Sequence, residues 1–247
     1  MFIPALLTAL IVAIGIADEL TLQWQSTRAI VIGPLVGLLL GDFQTGLLIG
    51  ATVEMMFLSN VIVGAAQIPD VTMASAIATA LAVLGRIPTE VAVTLAVPVA
   101  IFGQFMSTVR FNVLGVPLSH LADPFVQKGD IKGLKRVPVF GLLVILLLYV
   151  VPTFVAVYFG PEFVGGLVEK MPTKLLGGFN AGSGMLAAIG FAMLLSMLKS
   201  HRLLPFLFIG YVLAGFLKLS ILGIVVIAVS VACLYVFLSL KSEEEAI

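Results

Sequence analysis

Three uninterrupted apolar runs, over residues 137–158, 175–198 and 219–240, constrain the fold of this chain most strongly. Each is at least as long as the roughly 20 residues that an α-helix needs to cross a bilayer. The composition agrees, because 61% of the 247 residues are hydrophobic and 11% are charged, against about 25% charged residues in soluble domains. The sequence therefore predicts an all-α integral membrane protein, built as a bundle of several spanning helices.

Charge and cysteine content exclude several classes of protein. The 13 basic and 13 acidic residues give a formal net charge of zero, which offers no basic field for nucleic acid. Cys233 is the only cysteine, so neither a disulfide framework nor a cysteine-based metal site is possible. The N-terminal "MFIPALLTALIVAIGIADEL" lacks the basic segment and cleavage site of a signal peptide, and we expect a retained helix.

Shorter apolar runs, bounded by Gly, Pro or a charge, are expected to be tilted spans, half-helices or re-entrant segments. They cover residues 2–17, 29–41, 46–63, 71–85, 88–106 and 203–217. The most interrupted stretch predicts a half-helix over 46–58 and a returning half-helix over 71–85. Between them, "SNVIVGAAQIPD" suits a turn or re-entrant loop, since Pro69 breaks a helix. Transporters build binding sites at such broken helices.

Glycines at a four-residue spacing, Gly33, Gly37 and Gly41, place a smooth strip on one helix face. Gly46 and Gly50 continue the pattern. Small residues let two membrane helices approach closely, so we expect a packing role for this strip.

The basic residues predict the orientation of the chain. The segment "FVQKGDIKGLKRVP" contains Lys128, Lys132, Lys135 and Arg136, and the positive-inside rule places this loop, about residues 127–137, in the cytoplasm. If the later runs cross in turn, the C-terminus is cytoplasmic as well.

Glu54 lies in the apolar stretch "GATVEMMFL". A carboxylate at the centre of a membrane helix costs roughly 2.5–3.5 kcal/mol on insertion scales, and such residues usually face a cavity or a partner. Either Glu54 forms an ion pair or a protonated bond with a neighbouring loop, or it serves a ligand or a proton. We favour the functional interpretation.

Asp70 follows Pro69 and precedes the helix-forming run "VTMASAIATALAVLG". Its carboxylate is expected to cap this helix by accepting from the free amides of the first turn. One carboxylate oxygen can cap while the other accepts from a ligand, so both roles are compatible.

Amide side chains supply the remaining candidate ligand contacts. Asn60 and Gln67 lie between the two half-helices, and each offers donors and acceptors. This combination suits a sugar, whose hydroxyls donate and accept at once, although ion coordination would use the same atoms. Gln25, in "TLQWQSTRA", and Asn180, in "GGFNAGSGMLAAIGF", are further candidates. We expect Trp24 to be an interfacial anchor rather than a platform for a sugar.

Intramembrane enzymes are disfavoured by the same residues. "AGSGM" suits a serine nucleophile, but His120 and His201 adjoin polar or basic stretches, so no base is well placed. Asp42 and Asp70 look like ends of segments rather than a facing pair of intramembrane aspartates.

These motifs together resemble the membrane subunit IIC of mannose-type sugar phosphotransferase systems, the group for mannose, fructose, sorbose and N-acetylgalactosamine. The resemblance rests on an L-x-G-x-x-L-G-D element at Leu35–Asp42, a G-x-x-x-G-x-x-x-E element at Gly46–Glu54 and a turn ending in Pro-Asp at Gly64–Asp70. "LLGGFNAGSGMLAAIGFAMLL" and "LLPFLFIGYVLAGFL" are similar to the second half of the family. The chain has Ala29 after Arg28, where members often have proline, and Gly64-Ala65-Ala66 where they have a glycine doublet.

The resemblance implies a single membrane-embedded domain over 1–247, with its polar site region at about 23–85, in a bacterial inner membrane. It implies a subunit that translocates a sugar by an elevator-like movement, without a catalytic residue, metal or cofactor of its own. The implied partners are a second membrane subunit, IID, in trimers of IIC–IID units, and the soluble phosphoryl carriers IIA and IIB. The implied sugar-contacting residues are Glu54, Gln67, Asp70 and Gln25. The alternative is a proton- or ion-coupled carrier that uses Glu54.

Overall fold

The computed structural model describes residues 1–58, 60, 68–169, 172–197 and 204–244. Within these ranges the regular structure is helical and contains no strand, which confirms the all-α prediction. The helices are α1 Phe2–Leu20, α2 Ala29–Leu40, α3 Phe43–Met56, α4 Val71–Gly85, α5 Thr89–Thr108, α6 Gly115–His120, α7 Asp123–Gln127, α8 Ile131–Glu169, α9 Thr173–Met197, α10 Leu204–Gly215 and α11 Ile221–Glu244. A π-helical segment, Val109–Leu114, joins α5 to α6.

Three helical stretches of the described chain are long and apolar enough to cross a membrane: Phe2–Leu20, Thr89–Gln127 and Ile131–Glu162. The third contains the predicted span at 137–158 and continues through three prolines. The first two correspond to the runs at 2–17 and 88–106, whose type the sequence left open. The predicted spans at 175–198 and 219–240 overlap α9, which the structure describes as far as Met197, and α11, which begins at Ile221. Neither is among these three stretches of the described chain.

The chain forms two compact units, Met1–Leu194 and Leu195–Ile247. The core of the first unit surrounds α4, in which every residue from Thr72 to Ala82 is buried. Its small side chains, in "TMASAIATALA", allow α1, α2, α3, α5 and α8 to pack around it. In the second unit α10 packs on α11, with the rings of Phe206 and Tyr235 edge to face. The single domain over 1–247 stays a prediction.

Helices α2 and α3 form a closely packed hairpin. A methyl group added at Gly33 would lie 2.6 Å from the carbonyl oxygen of Gly46 and 2.7 Å from the Cα of Gly50. The predicted packing role is therefore confirmed for Gly33 and Gly37. Gly41 differs, because it ends α2 with a φ of 92° and nothing lies within 4 Å of an added methyl. A left-handed helix end of this kind favours glycine.

Asp42 begins α3 as its N-cap. Its carboxylate accepts from the Thr45 backbone N–H at 3.0 Å and from the Thr45 hydroxyl at 2.6 Å. Both bonds lower the pKa of Asp42, and the bond from the Thr45 hydroxyl has the larger effect.

The predicted helix break lies where α3 ends at Met56 and α4 begins at Val71. Asp70 caps α4, since its Oδ1 accepts from the Met73 N–H at 2.9 Å, so the capping prediction is confirmed. Two further bonds fix α4 against the start of α2: the Thr72 hydroxyl donates to Thr27 O at 3.0 Å, and the Ser75 hydroxyl donates to Ala29 O at 3.1 Å. Most of the predicted loop, residues 59 and 61–67, lies outside the described chain.

Candidate functional site

A cavity of about 760 Å³ lies where the ends of several helices meet. The C-terminal ends of α1 and α3, the N-terminal ends of α2 and α4, and the π-helical segment after α5 all reach it. Its volume falls within the roughly 300–1,000 Å³ of small-molecule sites. Its polar lining consists of Asp18, Glu19, Gln23, Gln25, Thr27, Arg28, Glu54, Asn60, Asp70, Thr72, Ser107, Arg110 and Asn112.

Glu54 lies in the last turn of α3 and reaches across to the start of α2. Its Oε1 forms an ion pair with Arg28, and its Oε2 accepts from the Ile30 N–H at 3.3 Å. The side chain of Glu54 is 15% exposed and that of Arg28 is 49% exposed. A carboxylate at a helix N-terminus is favoured by the helix dipole. Glu54 therefore forms the ion pair that the sequence left open, and it also lines the cavity.

Asp70 is held between α4 and α5. Its backbone N–H donates to Ala100 O at 3.0 Å, while its side chain caps α4. A methyl group added at Gly103 would overlap the Asp70 Cβ. Asp70 therefore contacts the glycine of α5 directly and presents its carboxyl group at the cavity from a fixed backbone.

Asn60 links the two sides of the helix break. Its Nδ2 donates to Pro69 O at 3.1 Å, and its backbone N–H donates to Phe57 O at 2.9 Å. Gln25 lies in the segment between α1 and α2, has a φ of 66° and lines the cavity. The structure thus brings four predicted site residues together: Glu54, Asp70, Asn60 and Gln25.

The side chains of the other two predicted site residues lie outside the described part of the chain. Gln67 lies outside the described residues. The backbone of Asn180 lies in α9, but its side chain is outside the described part of the chain.

Asp18 organises the segment that presents Gln25. Its carboxylate accepts from the N–H of Trp24 at 2.9 Å, from the N–H of Ser26 at 3.0 Å and from the hydroxyl of Ser26 at 2.7 Å. Trp24 itself is 79% exposed and is not among the residues that line the cavity. Its place at the surface agrees with an anchoring role.

A second ion pair crosses the cavity wall and was not predicted. Arg110 donates to Glu19 through two bonds, Nη2 to Oε1 at 2.9 Å and Nη1 to Oε2 at 3.4 Å. The sequence does contain a signal for it, because Arg110 interrupts the apolar run "FMSTVRFNVLG". A charge inside a membrane segment points to a function by default, and this holds for Arg110 as it does for Glu54.

Comparison with known proteins identifies the family. The family model described as "PTS system sorbose-specific iic component" matches residues 2–234. The chain belongs to this family. It is 34% identical over 220 residues to the sorbose-specific EIIC component of Lacticaseibacillus casei, covering 89% of this chain and 79% of that protein. It is 32% identical to the mannose-specific EIIC component of Escherichia coli K12, with 89% and 82% covered, and 32% identical to the fructose permease IIC component of Bacillus subtilis, with 90% and 81% covered.

Two solved structures share the fold. One, described as "Structure of membrane protein", has a TM-score of 0.89 and 28% identity, with 98% of each chain covered. The other is a chain from the complex of the mannose transporter ManYZ with microcin E492 (MceA), with a TM-score of 0.62, 28% identity and 96% and 95% covered. The resemblance to the IIC family is therefore confirmed. This IIC chain is a multi-pass membrane transport component of a sugar phosphotransferase system and not its catalytic component.

Proposed function

We propose that this IIC subunit binds a hexose or amino-hexose in the cavity and translocates it, by an elevator-like movement, for phosphoenolpyruvate-dependent phosphorylation by partner subunits. One observation supports this most: polar side chains from four helix ends and the π-helical segment converge on one cavity in a chain that is 61% hydrophobic. Polar groups are expensive at membrane depth and are usually kept there for function.

The lining suits a polyhydroxylated ligand. Carboxylates accept from hydroxyl groups, amides both donate and accept, and guanidinium groups donate. Hydrogen bonds to charged groups contribute roughly 1.5–3 kcal/mol each. The two guanidinium groups are already paired with carboxylates in the described chain. The site therefore offers its remaining acceptor capacity to a ligand rich in hydroxyl donors.

Four residues are the proposed sugar contacts on geometry: Glu54, Asp70, Asn60 and Gln25. Gln67 and Asn180 join them on the sequence pattern alone. A proton-coupled carrier using Glu54 is not proposed, because the chain belongs to a family of sugar phosphotransferase components.

Partner subunits complete the proposal. We infer a IID membrane subunit, trimers of IIC–IID units, and phosphoryl transfer from soluble IIA and IIB. The family supports this, because its members are named as components of larger systems. One face of α8 supports a membrane partner too. Its side chains at 140, 143, 147 and 151 are large, apolar and exposed, as expected against lipid or another subunit.

We also propose that the basic residues around the start of α8 and the C-terminus face the cytoplasm. Lys128 follows α7, while Lys132, Lys135 and Arg136 lie in the first turns of α8. The positive-inside rule supports this orientation.

Sugar binding by the complete transporter tests the proposal. Membranes from cells that express it are titrated with radiolabelled mannose, fructose, sorbose and N-acetylgalactosamine, and the sugar bound most tightly becomes the probe. Glu54→Gln is expected to weaken probe binding by about 10-fold to 100-fold, the effect of losing a hydrogen bond to a charged group. The complex should still assemble, because glutamine retains an acceptor for the Ile30 N–H.

Glu90→Gln is the matched control, since Glu90 lies in the first turn of α5 and does not line the cavity. It should bind the probe like the wild type. Unchanged binding by Glu54→Gln would remove Glu54 from the sugar site, and loss of the assembled complex in that variant would give Glu54 a structural role. Failure of the wild type to bind any of the four sugars would contradict the proposed substrate class.

A further inference from the structure

Glu19 and Arg110 form a second recognition element in the cavity, separate from the Glu54–Arg28 pair. We propose that Glu19 is a further sugar-contacting carboxylate and that Arg110 is its positioning residue, which holds Glu19 so that its free lone pairs accept from two neighbouring hydroxyls of the sugar. This inference rests on the proposed function of the cavity as a sugar site.

The location of Glu19 is unfavourable without a partner. It lies in the last turn of α1, which contains no basic residue. A negative charge at a helix C-terminus is opposed by the helix dipole. Asp18 in the same turn is compensated by the amides of the following segment, whereas Glu19 is compensated by Arg110 across the cavity wall. Arg110, which lies 91 residues later in the sequence, therefore holds Glu19 in position.

Arg110 is well placed for this role because its side chain is 7% exposed and that of Glu19 is 39% exposed. The guanidinium group lies 4.4 Å from the ring centroid of Phe111 and 6.0 Å from that of Tyr149. Its Nε is buried and has no hydrogen-bond partner among the residues that the structure describes. Among the described residues, the two bonds to Glu19 are thus the charge-assisted hydrogen bonds of Arg110, and they fix the direction of its guanidinium group.

A further contact holds this part of the wall. Tyr149 of α8 is fully buried, and its hydroxyl lies 3.0 Å from the hydroxyl of Ser107, three residues before Arg110. Arg110 lies in the π-helical segment, a local distortion that is frequent at functional sites. The segment that carries Arg110 is therefore anchored to α8, so the cavity wall can hold Glu19 in one place.

The remaining capacity of Glu19 suggests the ligand chemistry. An ionised carboxylate has about four acceptor positions, and Arg110 occupies two. About two acceptor positions remain on a side chain that is partly exposed to the cavity. Two adjacent acceptors match a pair of neighbouring hydroxyls. Because Arg110 neutralises its charge, Glu19 can accept from them without adding a net negative charge to the site.

A double-mutant cycle tests the inference with the binding assay and the sugar probe defined above. Glu19→Gln is expected to weaken binding about tenfold or more. Arg110→Gln should weaken it by a similar factor. Arg110→Lys should lose less, because lysine retains the charge but not the two-pronged geometry. In the Glu19→Gln background, Arg110→Gln should add less than about twofold, since coupled residues are not additive.

Transport kinetics separate positioning from a general structural effect. Uptake by Glu19→Gln should show a raised KM with an unchanged maximal rate at saturating sugar, whereas a loss of folded protein would lower the maximal rate. Monodeoxy analogues of the probe provide a second readout. The wild type should reject the analogues that lack the hydroxyls bound by Glu19, and Glu19→Gln should discriminate less. Glu90→Gln again serves as the matched control.

Two results would overturn the inference: wild-type affinity in Glu19→Gln, or an Arg110→Gln effect that is equally large in both backgrounds. If Arg110→Gln does not assemble, Glu19→Gln and Arg110→Lys decide the question alone. Failure of the proposed function is distinguishable, because the wild type would then bind none of the sugars. If the wild type binds and only Glu54→Gln weakens binding, this inference alone fails.

Discussion

Close packing between α2 and α3 is expected to set the geometry of the site, and Gly33→Ala tests this directly. The added methyl group would lie 2.6 Å from the Gly46 carbonyl oxygen and 2.7 Å from the Gly50 Cα. Both contacts are backbone atoms, so neither can rotate away. To bring the 2.6 Å contact to an ordinary 3.4 Å, the two helices must separate by about 0.8 Å.

The cost follows from this separation. Overpacking of a tightly packed contact lowers the free energy of unfolding by about 1–3 kcal/mol. Replacing glycine by alanine in a helix raises it by up to about 1 kcal/mol. We expect a net loss of about 1–2 kcal/mol, which corresponds to a fall in Tm of about 2–8 °C for a chain of this size. Glu54 on α3 meets Arg28 and Ile30 at the start of α2, so the separation should weaken sugar binding as well.

Two assays are used: thermal unfolding of the detergent-solubilised complex, and sugar binding by the folded complex. Gly210→Ala is the matched control, because nothing in the described chain lies within 4 Å of a methyl group added there. Its Tm should be unchanged or slightly raised. A wild-type Tm and affinity for Gly33→Ala, or an equal loss in Gly210→Ala, would refute the packing argument.

Two further substitutions test individual parts of the site. Asp70→Asn should assemble normally, because asparagine also caps helices well. It should bind the sugar about tenfold or more weakly, since a charged acceptor is lost. Wild-type affinity would leave capping as the only role of Asp70. Asp18→Ala removes three hydrogen bonds that hold the segment containing Trp24 and Ser26. Hydrogen exchange of the Trp24 and Ser26 backbone amides should therefore accelerate at least about tenfold. Unchanged exchange would show that other contacts hold the segment.

Sequence periodicity and helix signals located most of the first unit. Helix ends were predictable where a local signal exists, such as Pro69 and the Asp70 cap before α4. The predicted half-helix at 46–58 was offset, because Asp42 caps α3 earlier and Phe57 ends it sooner than the apolar pattern suggests. The helix expected in the N-terminal segment is α1, and it extends beyond the apolar run at 2–17 to Leu20. Asp18 and Glu19 are accommodated in its last turn because they have partners outside the helix.

The site was predictable only in part, for a related reason. Glu54, Asn60 and Asp70 are close in sequence and were recognised as polar residues at a helix break. Glu19 and Arg110 meet across a separation of 91 residues, so no local pattern pairs them. The positions of individual side chains depend on how α1, α5 and α8 pack, and this information is not contained in any short motif.

Uptake into membrane vesicles, with and without the soluble phosphoryl-carrier proteins, tests whether this chain takes up sugar in a reaction coupled to phosphorylation. Vesicles containing the complete transporter are supplied with the radiolabelled sugar that it binds most tightly, and the internal product is identified by chromatography. We expect sugar to accumulate as its phosphate ester, and only when the phosphoryl carriers are present. Accumulation of free sugar in proportion to a proton gradient, without the carriers, would contradict this expectation.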